Sequence, residues 1–283
     1  MQIAWGVRTD TGGRRAVNED AVLAHPPVFV VADGMGGHIH GELASRAVIA
    51  AFDRLAGECD PDREVRPEQV LEAVHAAQRT IRDALRDERD ADGSPITAGS
   101  TVAGAVLTVH ESEPFWLVLN VGDSRIYRLS EGELTQVSVD HSVVQELVES
   151  GALDRAAARR HPQRNVITRA VDTGQDAEVD FWRLHAGSDR LLICSDGLTD
   201  ELDEEQIGAV LREVASPRDA ADRLLAAAVH GGARDNVSVI VVDGPGADVS
   251  ATAPRVESTG DDVADTVPRG GRVTGGRDVS TWR

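Results

Sequence analysis

The run Val28-Phe29-Val30-Val31-Ala32 passes without a break into Asp33-Gly34-Met35-Gly36-Gly37-His38. An apolar strand thus ends on a carboxylate and enters backbone nearly stripped of side chains. Glycine permits positive φ and lets a carbonyl approach a ligand closely, and a strand end fixes an acid better than a loose loop does. Asp-Gly also marks turns, so taken alone the hexapeptide reads as a turn.

The pattern recurs. Leu191-Leu192-Ile193-Cys194-Ser195 runs into Asp196-Gly197, and Asp235-Asn236 stands immediately before the apolar run 237–242. Three acids at three strand ends suggest convergence on hard divalent cations, which prefer carboxylate, carbonyl and water oxygens. The carbonyl of Gly34 is free to join such a shell. Arg15-Ala16-Val17-Asn18-Glu19-Asp20 adds two acids and a guanidinium, and Gly122-Asp123-Ser124-Arg125 follows the apolar segment 115–121 with the chemistry of a hairpin turn.

In this order the segments resemble the metal-dependent protein phosphatases (type 2C, or PPM, serine/threonine phosphatases), in particular their compact bacterial members. The resemblance covers about residues 3–242. It rests on these segments and on Gly99-Ser100-Thr101, Asp140-His141-Ser142, Arg164-Asn165-Val166-Ile167-Thr168-Arg169 and Ser195-Asp196-Gly197-Leu198. It implies an α+β fold, a four-layer α-β-β-α sandwich of two mostly antiparallel sheets flanked by helices, with the metal site at one end of the sheets. It implies Mn2+ or Mg2+ as cofactor, two ions per site: Asp33 bridging both, Gly34 giving its carbonyl to one, Asp196 and Asp235 completing the other's shell. Asp20, counted with the metal set, and Glu19 would hold metal-bound waters, and Arg15 would fork onto the phosphate. Asp123 resembles the acid that, with Asp196, holds a weaker third metal, beside a purely structural turn role. His38 is a candidate general acid for the leaving serine or threonine oxygen, or a cap for backbone groups.

The reaction implied is hydrolysis of phosphoserine and phosphothreonine by attack of a metal-bridging hydroxide, on phosphorylated proteins including serine/threonine kinases and their substrates. Two alternatives stand beside it: a pseudophosphatase kept as a scaffold, and a dedicated phosphatase of an anti-sigma-factor antagonist. Segment 141–168, with Arg155, Arg159, Arg160, Arg164 and nearby Arg169, resembles the mobile flap beside the centre. Its cations either recognise a phosphoprotein or balance the charge of an acidic chain.

A formal net charge of -19, with no lysine, argues against nucleic-acid partners, whose binding needs clustered cations. Cys59 and Cys194 lack any zinc-type spacing. No leader and no membrane-length apolar run is read, so a cytoplasmic monomer is expected. Period and turn chemistry predict strands at 3–8, 21–24, 100–109, 115–121, 125–129, 133–137, 178–184, 190–195 and 237–242. They predict helices at 42–56, 67–87, 141–149, 154–160, 204–214 and 217–230, the last capped by Ser216. One catalytic domain at 1–243 and a disordered tail at 244–283, with Thr259 and Thr266 as phosphorylation candidates, complete the expectation.

Overall fold

The computed structural model describes residues 3–60, 63–111 and 113–246, and of His38 the backbone alone. Most of the expected tail, with Thr259 and Thr266, lies outside the described residues.

Two antiparallel sheets form the middle of the molecule. The first has the order β1 (Ala4–Asp10), β12 (Val237–Asp243), β11 (Arg190–Cys194), β7 (Arg125–Ser130), β8 (Glu133–Gln136). The second runs β10 (Asp180–His185), β6 (Glu113–Val121), β5 (Val102–His110), β3 (Val28–Met35), with β2 (Asp20–His25) on the other edge of β3. The short strands β4 (Gly99–Ser100) and β9 (Val171–Asp172) extend its tip. Helices α1 (His38–Glu58) and α2 (Pro67–Leu85) cover the second sheet, α6 (Glu204–Glu213) and α7 (Pro217–Gly231) the first. This is the expected four-layer sandwich.

The continuous apolar run of β3 follows from this layering. Val28, Val30 and Ala32 pack against α1 and α2, while Phe29 and Val31 enter the core between the sheets. A strand buried on both faces has no polar alternate position. Phe29 sits edge-on between Trp5 and Trp116, with ring centroids 5.9 and 6.0 Å away.

Several elements differ from the sequence-based expectation. Gly122–Ser124 is a turn but no hairpin: it carries the chain from β6 in one sheet to β7 in the other, so the two strands never pair. Helix α1 starts at His38, four residues before Glu42, directly after Gly37 at φ 79°. Asp196-Gly197 opens a one-turn helix, α5 (Asp196–Thr199), that no apolar period announces. Within 141–168 the helices shrink to α3 (Val143–Glu149) and α4 (Arg155–Ala158), because Ser142 and Asp154 cap them and stay outside. The cap of α7 is as expected, Ser216 Oγ accepting from Asp219 N at 3.3 Å. Packing continues past Asp243, where Gly244 N and Gly246 N donate to Asp189 O and Gly187 O at 2.7 and 3.2 Å.

Candidate metal centre

Antiparallel pairing of β2 with β3 places Asp20 directly opposite Asp33. The peptide around Asp33 is held from both sides by Thr101. Asp33 N donates to Thr101 Oγ1 at 3.0 Å and Asp33 O accepts from Thr101 N at 2.9 Å. Thr101 Oγ1 also shares a hydrogen bond of 2.8 Å with Ser124 Oγ, beside Asp123. Gly34 is required by space: a Cβ there would stand 2.2 Å from Gly41 O and 2.6 Å from Glu19 O.

Asp196 is the first residue of α5, and the serine before it binds the acid of β2. Ser195 Oγ donates to Asp20 Oδ2 at 2.8 Å and accepts from Ser238 N at 3.0 Å. A Cβ on Gly197 would come within 2.0 Å of Asn236 O, so glycine lets α5 approach the strand carrying Asp235. Asn236 seats the N-terminal loop, its Oδ1 accepting from Glu19 N at 2.8 Å and its Nδ2 donating to Thr11 O and Val17 O at 2.9 and 3.0 Å. Arg15 donates to Asp235 Oδ2 at 2.6 Å, half-exposed at the rim.

The acids crowd one another. Burial, then the charges of Asp20, Asp196, Asp123 and Asp235, hold the Asp33 carboxyl well above the ordinary value. Asp196 is raised likewise, by burial and then by Asp123, Asp200, Asp235 and Asp20. Burial also pushes Asp20 up to about 6 and Asp123 up to about 7. So many carboxylates at one place call for cations. One observation locates the need: Asp20 Oδ1 is buried with no hydrogen-bond partner, an acceptor suited to a metal-bound water. Among the described residues no three His, Cys, Asp or Glu side chains close on a single ion position, so divalent ions here would take part of their shells from water.

Arg15, Glu19, Asp20, Asp33, Gly34, Asp123, Asp196 and Asp235 are therefore brought to one end of the sheets. His38 opens α1 beside them, but its side chain, and with it the general-acid reading, lies outside the described residues. Sequence reasoning missed Asp200, whose charge acts on both Asp123 and Asp196. No local signal marked it, because the one-turn helix that sets it four residues after Asp196 is not announced by any apolar period. It also missed the tasks of Thr101, Ser195 and Asn236, which depend on partners remote in sequence. Both thiols are pushed up by burial, Cys59 to about 11 and Cys194 to about 12, as expected of packing residues rather than nucleophiles.

The flap-like segment is pinned at its root: Val143 N donates to Val166 O at 2.9 Å and Thr168 N to His141 O at 2.8 Å. Between it and α5 and α6 lies a groove of about 860 Å³ that reaches Asp123 and Asp196. Arg155, Arg159 and Arg164 line it. Arg169 does not; it turns to Asp180 at 3.2 Å on the far side of the segment.

Residues 13–230 match the Protein phosphatase 2C family; the chain belongs to it. Its relatives include the serine/threonine protein phosphatase PstP of Mycobacterium tuberculosis, 36% identical over 271 residues, which take in 95% of this chain and 50% of that protein. The chain thus spans about half the length of that relative. The crystal structure of M. tuberculosis PstP/Ppp superposes with a TM-score of 0.77 at 36% identity, over 86% of this chain and 99% of that one. A PstP catalytic domain in complex with two manganese ions gives 0.73 at 33% identity, over 86% and 98%.

Proposed function

We propose that this protein is a metal-dependent serine/threonine protein phosphatase that removes phosphate from phosphoserine and phosphothreonine in phosphorylated proteins. The observation that carries the reading is the gathering of Asp20, Asp33, Asp123, Asp196 and Asp235, with Asp20 Oδ1 buried and unpaired. Two ions, manganese or magnesium, would be held by Asp33, the Gly34 carbonyl, Asp196 and Asp235. A third would be held by Asp123 and Asp196. Such ions lower the pKa of bound water and neutralise phosphoryl oxygens. Support comes from the manganese-bound PstP domain, whose likeness extends over most of this chain.

The chain's own groups have distinct tasks. Arg15, anchored on Asp235, keeps further N–H donors of its fork for a phosphoryl oxygen. Glu19 and Asp20 orient water, Asp20 being held by Ser195. Two free cysteines suit the reducing cytoplasm. A module retained only for its shape would have no use for mutually repelling acids, which speaks against the scaffold reading.

Hydrolysis of a phosphothreonine peptide, assayed with manganese, with magnesium and after chelation, tests the proposal. Turnover should require a divalent ion and fall by roughly 10²-fold or more in Asp196→Asn. Activity that survives chelation, or is unchanged in that variant, overturns it.

A further inference from the structure

The groove beside the carboxylate centre has two walls of opposite sign, and two of the arginines that line it stand outside its ion pairs. Arg125 is tied to Asp140 at 2.6 Å, Arg164 to Asp200 at 3.7 Å and Arg234 to Glu201 at 3.0 Å. Arg155 and Arg159 also line the groove, both exposed. Neither side chain has an ion-pair or hydrogen-bond partner among the described residues. Arg155 opens α4 and Arg159 follows its last residue in still-helical backbone, at φ -58° and ψ -21°. Four residues apart, the two guanidinium groups share one face. Both stand unpaired among the described residues in a chain whose net charge of -19 offers many acids to pair them with. Across the groove, Asp203 and Glu204 at the start of α6 make the opposite wall acidic.

We propose that Arg155 and Arg159 form a docking subsite for an anionic side chain flanking the phosphorylated residue of the substrate. The subsite rests on the phosphatase reading above and deepens it to a substrate class: phosphoproteins with an acidic or second phosphorylated residue near the scissile one. Carboxylate and phosphoryl oxygens present the same chemistry to a guanidinium fork. The acidic α6 wall adds discrimination, because a substrate threaded the opposite way would set its anion against Asp203 and Glu204.

The test compares phosphothreonine peptides with one flanking position occupied by Glu, by a second phosphothreonine, by Ala or by Arg. Each is measured as kcat/KM with manganese and as binding of a non-hydrolysable phosphonate analogue by fluorescence anisotropy. Both anionic flanks should exceed Ala by about five- to tenfold, as charge-assisted pairs on a partly screened surface allow, and Arg should fall below it. Selection of the phosphothreonine flank alone would assign the subsite to a phosphoryl group, of Glu alone to a carboxylate. In Arg155→Glu/Arg159→Glu the ratio of Glu-flanked to Arg-flanked peptide should invert. Equal handling of all flanks by the wild-type protein, or a ratio unmoved in the double variant, overturns the subsite. Absence of turnover for every peptide would instead overturn the phosphatase reading, while analogue binding still reports the flank preference.

Discussion

At the scale of single residues, the centre is a set of carboxylates kept from ionising freely. Asp20 and Asp123 have an ordinary value of 3.8 and are raised by burial to about 6 and about 7. Between those limits the folded chain holds protons that the unfolded chain has released. Stability therefore falls as pH rises through the window, and the penalty is complete above the folded values. Metal-free protein should lose several degrees of Tm between about pH 5 and about pH 7.5, each kcal/mol being worth roughly 2–4 °C in a domain of this size. Saturating manganese should remove most of that slope, because cations take the place of the protons. Differential scanning calorimetry with chelator and with manganese reads both; a flat metal-free profile would contradict the carboxylate picture.

At the scale of elements, the decisive pieces are the joints where strands end. His141, at the root of the flap-like segment, holds the turn that carries Asp123. Its backbone N donates to Gly122 O at 2.9 Å, and its Nδ1 accepts from Gly122 N at 3.0 Å. The amide can only donate, so the proton of a neutral imidazole sits on Nε2, which donates to Asp180 Oδ2 at 3.1 Å. Gly122 itself stands at φ 107° with room for no side chain, since a Cβ would meet Thr101 at 2.6 Å. Loosening His141 should then be felt at Asp123 and, through Thr101, at Asp33. His141→Ala should raise the manganese concentration for half-maximal activity by about tenfold, with a matching loss of affinity in calorimetric titration. His141→Asn, whose Oδ1 replaces Nδ1 as acceptor, should recover most of it. Equal behaviour of the two variants would reduce His141 to a space filler. None of this was visible in Gly122-Asp123-Ser124, which read as a hairpin turn because a tight turn looks the same whether its strands pair or part.

At the scale of the whole molecule, three apolar layers hold four layers of structure, and the middle one registers the two sheets on each other. Phe29, wholly buried between Trp5 and Trp116, is its largest single anchor on β3. Phe29→Ala should cost about 3–5 kcal/mol, read as a lower urea midpoint at unchanged slope; a loss below about 1 kcal/mol would mean the sheets close over the gap. By itself the sequence determined the longer strands, the main helices, the acids at strand ends and the glycines beside them, but not the two-residue strands β4 and β9, because apolar period and turn chemistry act over neighbouring residues. Only the tertiary structure decided which sheet each strand joins, that Asp20 faces Asp33, that Ser195 holds Asp20 from 175 positions away, and that Arg15 rests on Asp235 across 220. Those facts depend on contacts between remote segments, which no local pattern encodes. The same reason hid which arginines of the flap-like segment find a carboxylate and which two face the groove unpaired.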